Sequence, residues 1–389
     1  MSNGREFDLI VYGASGFTGR LVAEYLDQTY GGDLKWALAG RNAEKLAAVR
    51  AEMGIADSVP VVTADADQPD TLKALAERTR LVLTTVGPYQ LYGEPLVKAC
   101  AEAGTDYVDL CGEPAWMRQM IDRYGDTAQR SGARIVFSCG FDSIPFDLGV
   151  FFLEQQAKEK GLAPLNRVKG RVRAMKGTFS GGTAASLKAT LAAAKDPEIR
   201  ALLTNPFALT PGFSGPEQPP AAKPEYDDAL GSWAAPFIMA AINTRNVHRS
   251  NFLLGHPYGE DFVYDEMILT GDGDKGKATA EAVAEDRSLA GEDAPKPGEG
   301  PSKEERENGL YDVLFVGAND QGEQLAVSVS GDKDPGYGST SRMISESALC
   351  LLRDATDTAS GIWTTAPALG DKLIKRLTEH AGLKFKVEG

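Results

Sequence analysis

The stretch Gly13-Ala14-Ser15-Gly16-Phe17-Thr18-Gly19 constrains the fold more than any other in this chain. An apolar run, Phe7 to Tyr12, precedes it. Phe17 to Tyr30 follows, with Leu21, Val22, Tyr25 and Leu26 on one helical face. Strand, glycine turn and helix in that order open a βαβ unit. The spacing is G-x-x-G-x-x-G rather than the commoner G-x-G-x-x-G. Gly13 permits the tight turn, Gly16 lets an anion approach the helix start, and Gly19 lets the helix pack close to the sheet. Free amides at a helix start favour a pyrophosphate. Gly13, Ser15, Gly16, Phe17, Thr18 and Gly19 are therefore the expected cofactor-binding residues of this turn.

The alternation continues to about residue 150. Strands are expected at 34–39, 59–64, 81–86, 107–110 and 133–138, with helices at 44–52, 69–76 and 95–103 between them. Short strands alternating with helices predict a mostly parallel sheet covered on both faces. After Gly149 the pattern changes. Val168 to Lys176 alternates apolar residues with Lys169, Arg171 and Arg173, which predicts a half-exposed strand with a basic face. Gly181-Gly182-Thr183 opens a helix. Leu209 to Tyr226 is proline-rich and reads as loop, and Phe237 to Ile242 reads as helix. Tyr311 to Val316 and Gln324 to Ser330 read as an antiparallel pair. The expected fold class is α/β: a Rossmann-type parallel-sheet domain over 1–150 and an α+β substrate or dimerisation domain over 151–340. Within the second domain, 271–307 is rich in Gly, Pro, Asp and Glu and is expected to be a mobile acidic connection. C-terminal helices over 341–389 return to the first domain in this reading.

The end of the second strand bears on cofactor choice. A carboxylate there binds the ribose hydroxyls of NAD. Here the segment is Ala39-Gly40-Arg41-Asn42, and Arg41 suits a 2′-phosphate. NADP is expected over NAD, with Lys45 adding positive potential. The loop after the fourth strand, Thr84 to Tyr89, should lie beside the nicotinamide, with Gly87 and Pro88 shaping it. Tyr89 is either a ring wall or a proton donor.

Charge and cysteine usage exclude other classes. The 389 residues carry 41 Lys+Arg against 55 Asp+Glu, a formal net charge of −14, which disfavours nucleic acid as a partner. Cys100, Cys111, Cys139 and Cys350 show no C-x-x-C spacing, and there are only 3 His, so no metal site or disulfide scaffold is expected. No signal region or membrane-length apolar run is visible. A cytoplasmic protein is expected, with peripheral membrane contact left open.

Several strings together resemble the saccharopine-dehydrogenase-like oxidoreductases. They are Gly13 to Gly19, Trp36 to Arg41, Gly87-Pro88-Tyr89, Tyr92 to Pro95, Asp109 to Glu113, Cys139 to Pro145, and Pro335 to Gly338. The similarity extends over nearly the full chain and is strongest to the trans-acting enoyl reductases, which work beside polyketide synthases on lipid precursors. The resemblance implies an NADPH-dependent oxidoreductase acting on an enoyl or related acyl substrate, carrier-bound lipids included. The alternatives are a saccharopine-type amino-acid dehydrogenase and a non-catalytic NADPH-binding protein. A homodimer is open.

A reductase needs a hydride delivered at short range and a donor for the developing anion. Tyr89, Asp142 and Cys111 are the catalytic candidates, with Tyr89 first, Asp142 second and Tyr92 behind them. Asp142, like Glu113, is equally suited to capping the helix that follows it. Two observations separate the substrate classes. A polycarboxylate substrate requires convergent arginines, with Arg171, Arg173, Lys176, Arg245, Arg249 and Arg342 available. An acyl chain requires an apolar groove, for which Phe179, Phe207, Phe213, Phe237, Met239, Phe252 and Leu253 are available.

Overall fold

The computed structural model describes residues 4–296 and 298–389. In the first part of the chain run β1 (Phe7–Tyr12), β2 (Trp36–Gly40), β3 (Val61–Thr63), β4 (Thr79–Thr84), β5 (Asp106–Val108) and β6 (Arg134–Val136). The second part contributes β7 (Arg167–Lys176), β8 (Glu225–Asp227), β9 (Ser232–Pro236), β10 (Val263–Gly271), β11 (Leu310–Ala318) and β12 (Gln324–Gly331). β13 (Gly361–Trp363) and β14 (Leu383–Val387) complete the set.

Seven strands form a parallel sheet in the order β13-β6-β5-β4-β1-β2-β3. The chain leaves β1 on one side and returns on the other at β4. The crevice outside the carboxyl ends of β1 and β4 is therefore the switch point at which such sheets bind ligands. Apolar burial makes this sheet: five of the six residues of β1, and all of β2, are buried. Local signals punctuate the helices. Asn42 caps Ala43–Glu52 by accepting from Lys45 N at 2.9 Å, proline opens Pro69–Arg78 and Pro114–Ser131, and left-handed Gly104 and Gly132 close two helices.

The second sheet has the order β14-β12-β11-β7-β10-β9-β8 and is antiparallel except for the β7–β10 pair. One core joins the two sheets. Leu9, Leu81 and Val136 of the first belong to the same buried cluster as Phe146, Val172 and Phe315. The close of the chain serves both sheets: β13 extends the first sheet beside β6, and β14 extends the second beside β12.

Several expectations need correction. The segment read as loop to Tyr226 ends inside β8, and β9 was not foreseen. The expected helix 237–242 begins only at Ala240, and the helix runs to Leu253. The span 271–307 is not simply a connection: Gly273–Glu285 is a helix packed on β9 and β10. Its polar composition is the exposed face of that helix, which buries only Gly276 and Ala280. The basic face of β7 is not solvent-facing throughout. Arg171 is fully buried and pairs with Asp265 at 2.7 Å and Asp227 at 3.5 Å, carboxylates brought from β10 and β8.

Candidate active site

The glycine turn has the geometry its spacing implies. Gly13 has φ +90°, and a side chain there would meet Val86 at 2.6 Å. A Cβ on Gly19 would stand 2.2 Å from Gly13 O, so helix and turn touch through backbone alone. Gly16 is exposed, and its only neighbour is Gly13 O at 3.3 Å. The helix Phe17–Tyr30 has no side-chain cap and no acidic residue in its first turn. Its positive end and first amides are thus left for an anion. This fits the pyrophosphate of a dinucleotide.

Other candidate cofactor residues are distributed along the sheet edge. Ser15 is half-buried behind the turn, and its carbonyl accepts from Arg20 Nε. Arg41 and Lys45 are both exposed beyond β2. Asp65 and Asp67, after β3, reach the same edge. Their charge and that of Arg41 act on Tyr12, whose hydroxyl burial and then Asp65 push up to about 12. Neither stands at the end of β2, where sequence places a ribose-binding carboxylate, so neither was visible before the fold. Gly87 lines the central cavity, while Pro88 is buried beneath the short helix Tyr89–Tyr92.

A cavity of about 470 Å³ opens between the glycine turn and the second sheet. Gly16, Phe17 and Thr18 form its cofactor side, with Gly87 and Tyr89 beside them. The opposite wall is mostly apolar: Phe179, Leu187, Leu203, Phe237, Ile238 and Met239. The helices Gly181–Ala193 and Pro197–Thr204 supply part of that wall. Tyr337 closes one end. Its ring meets Phe17 edge-on at 5.2 Å, and its hydroxyl accepts from Ser180 N and bonds Thr183 Oγ1 at 3.0 Å. Asp334 holds that turn by accepting from Tyr337 N at 2.9 Å and Gly338 N at 2.7 Å. Of the arginines considered for a polycarboxylate, only Arg245 reaches the cavity. It spends its donors on the carbonyls of Leu203, Asn205 and Ala241, and burial lowers it to about 10. Arg173 pairs with Asp312 and Glu388, Arg249 bonds Leu209 O and Ile362 O, and Arg342 lies over Tyr25.

The three catalytic candidates fare differently. Tyr89 lines the cavity but is buried. Its hydroxyl donates to Thr84 O at 3.3 Å and accepts from Leu110 N at 3.0 Å, so it is occupied within its own loops. Burial, and then Asp109, push that hydroxyl well above its ordinary range. Cys111 is fully buried, lines no part of the cavity, and has its thiol pushed well up by burial. This corrects its place among the catalytic candidates, because a fully buried thiol that does not reach the cavity has no route to a substrate. Asp142 lines the cavity, its Oδ1 is buried without a partner, and burial raises it to about 7. Glu113 does not cap the helix Pro114–Ser131 that follows it; its carboxylate accepts from Tyr89 N at 2.9 Å and Gln90 N at 2.8 Å and caps the helix Tyr89–Tyr92 instead. Tyr92 is 42 % exposed and outside the cavity. Phe207, Phe213, Phe252 and Leu253 do not line it either.

Residues 9–136 match the family model of the saccharopine dehydrogenase NADP-binding domain. A relative from Mycobacterium tuberculosis, named as a candidate trans-acting enoyl reductase, is 43 % identical over 402 residues, covering 96 % of both chains. The chain belongs to the saccharopine-dehydrogenase-like oxidoreductases, in the trans-acting enoyl reductase group. A Mycobacterium ulcerans protein named trans-acting enoyl reductase is 38 % identical over 406 residues, again with 96 % of each chain covered. In this family the protein is an NAD(P)H-dependent oxidoreductase with NADP as cofactor. The fold agrees. Apo saccharopine dehydrogenase (L-Glu forming) from Saccharomyces cerevisiae superposes with a TM-score of 0.55 at 13 % identity, over 98 % of this chain and 100 % of that one. No helix among the described residues is long and apolar enough to cross a membrane.

Proposed function

We propose that this oxidoreductase reduces a carbon–carbon double bond conjugated to the carbonyl of an acyl thioester, with Asp142 as the proton donor. The observation that carries the reading is the cavity wall. It is mostly apolar on the side away from the glycine turn, with uncharged hydroxyls such as Ser186 and Thr190 among the apolar groups, and its one arginine among the described residues is already bonded to three backbone carbonyls. A polycarboxylate substrate would leave charges unpaired there, which costs several kcal/mol per ion. An acyl chain gains from the same wall by burial. The relatives' name, enoyl reductase, points the same way.

NADPH supplies the hydride when bound. The residues at the helix start, Gly16, Phe17 and Thr18, would hold its phosphates, and Arg41 and Lys45 its 2′-phosphate. Ser15, Gly13 and Gly19 shape the turn behind them, and Gly87 and Pro88 shape the loop beside the nicotinamide. Hydride addition at the β-carbon leaves charge on the α-carbon and the carbonyl oxygen. Asp142 then donates to the α-carbon. A carboxyl raised by burial to about 7 is part protonated near neutral pH, so it can both hold a proton and give it up. Tyr89 acts as a wall, since its hydroxyl is engaged in the loops around it.

The test compares Asp142→Asn with Tyr89→Phe in NADPH oxidation by an enoyl thioester. Asp142→Asn should lower kcat by about a hundredfold or more with NADPH affinity kept. Tyr89→Phe should stay within about threefold of the unmodified enzyme, because it removes no group the reaction uses. The reverse pattern would restore the tyrosine as donor and remove the aspartate.

A further inference from the structure

The turn Pro335-Gly336-Tyr337-Gly338 has no task in the reduction scheme, yet it lines the cavity between the cofactor side and the roof. Its backbone is firmly fixed. Asp334, fully buried, accepts from Tyr337 N at 2.9 Å and Gly338 N at 2.7 Å. Thr340 Oγ1 donates to Pro335 O at 2.8 Å and accepts from Phe141 N at 2.9 Å, which joins the turn to the loop of Asp142. Two close approaches hold the other side. A Cβ on Gly177 would stand 2.8 Å from Pro335 Cδ, and one on Gly309 would stand 2.2 Å from Asp334 N.

Tyr337 projects from this base and is 4 % exposed. Its ring meets that of Phe17, the first residue of the cofactor helix, edge to face. Its hydroxyl reaches the start of the helix Gly181–Ala193. There it accepts from the backbone N of Ser180, the residue that caps the helix, and bonds Thr183 Oγ1 at 3.0 Å in the first turn. Few other buried groups hold this helix, which buries only Gly181 and Ala184. The tie from Lys188 Nζ to Gly291 O is exposed, and that from Gln90 Nε2 to Thr190 Oγ1 is half-buried. Gly181 N adds a backbone bond to Glu299 O at 3.1 Å. The bond from Ser180 N to Tyr337 Oη is buried. Ties open to water hold an element less firmly than buried ones. Yet this helix brings Thr183, Ser186, Leu187 and Thr190 to the cavity along one face. Ser186 Oγ lies 3.7 Å from where a side chain on Gly87 would begin, so the roof comes down onto the loop after β4. A rigid post thus carries a loosely packed roof.

We propose that Tyr337 is a positioning residue that latches the roof helix Gly181–Ala193 to the cofactor end of the site. Its hydroxyl fixes the first turn of the helix, and the turn beneath it fixes the hydroxyl. The consequence for an acyl substrate rests on the enoyl-reduction reading; the latch does not. Tyr337 acts through the helix and not on the reacting atoms, so its loss weakens binding of the acyl chain and spares the chemical step.

The experiment is backbone hydrogen exchange on the full-length protein without ligand, comparing the unmodified chain with Tyr337→Phe. That variant keeps the ring against Phe17 and removes the hydroxyl. Amides of residues 183–193 should exchange about fivefold faster or more, while those of β1, β4 and β11 keep their rates. Unchanged exchange over 183–193 overturns the latch. Faster exchange in both sheets as well would show general loosening and also overturns it. Thr183→Val removes one of the two bonds and leaves Tyr337 in place. It should give a smaller rise confined to the same helix, and no rise would overturn the proposal even where Tyr337→Phe fails to fold. A kinetic arm separates positioning from chemistry. Tyr337→Phe should raise the KM for an enoyl thioester by about fivefold, with kcat and NADPH affinity kept. A large loss of kcat, with KM and exchange unchanged, would make the hydroxyl part of the chemistry and overturn the positioning role. Faster exchange over the helix, with no turnover of any enoyl thioester by the unmodified protein, would leave the latch standing and remove the enoyl reading.

Discussion

Arg41 stands exposed one residue beyond β2, at the edge where a cofactor's adenosine half would lie. Its charge is felt at Tyr12, as are those of Asp65 and Asp67. A 2′-phosphate would give the arginine a doubly charged partner and repel the aspartates less when the arginine is present. NADPH should therefore bind at least tenfold more tightly than NADH, about 1.4 kcal/mol. Arg41→Ala should remove most of that difference in a calorimetric titration. Equal affinities in the unmodified protein would show that the edge does not discriminate. Arg41 was legible in the sequence because its place follows directly from the strand before it. Asp65 and Asp67 were not, because β3 reaches this edge only by pairing with β2. The same limit explains Cys111 and Tyr89. Sequence places both after strands of the parallel sheet, but which side of the loop faces the cavity is decided by Glu113, Leu110 and Thr84. Two roles, donor and cap, are open to Asp142 from its place before Pro145. The structure finds no side-chain cap on the helix Ile144–Glu159, and it finds the aspartate's Oδ1 without a partner.

Among the elements, the helix Phe17–Tyr30 does the most for the cofactor. It ends in an uncapped first turn at the mouth of the crevice, and Gly19 lets it lie directly on the turn. A side chain at Gly16 meets little protein, only Gly13 O at 3.3 Å, but it projects where the pyrophosphate would sit. Gly16→Val should abolish NADPH binding while the thermal midpoint stays close to that of the unmodified protein. Binding of wild-type strength in that variant would move the phosphate site elsewhere. This strand–turn–helix was readable because every requirement lies within a few residues. The roof of the cavity was not. The helix Gly181–Ala193 was expected, but its burial is slight, and its position is set by distant contacts such as Gln90 Nε2 to Thr190 Oγ1 at 3.1 Å and Lys188 Nζ to Gly291 O at 3.0 Å. An element held by so few buried groups opens more easily than the sheets beneath it.

At the scale of the whole molecule, the cavity exists because two sheets share one core and meet at the switch point of the first. The parallel sheet presents the glycine turn and, after β6, Asp142, and the second sheet with its helices presents most of the apolar wall. Alternating strands and helices gave the first sheet from sequence. The second was only partly readable, since its order places β7 between β11 and β10, and β14 beside β12, against chain order. The wall carries the central claim, that the substrate is an acyl chain reduced beside the nicotinamide. The direct measurement is NADPH oxidation with enoyl thioesters of increasing chain length, run beside saccharopine oxidation with NADP. Each methylene that enters the apolar wall should raise kcat/KM by about fourfold, from about 0.8 kcal/mol of burial, until the cavity is filled. Saccharopine should not turn over. Turnover of saccharopine, with none on any enoyl thioester, would contradict the account.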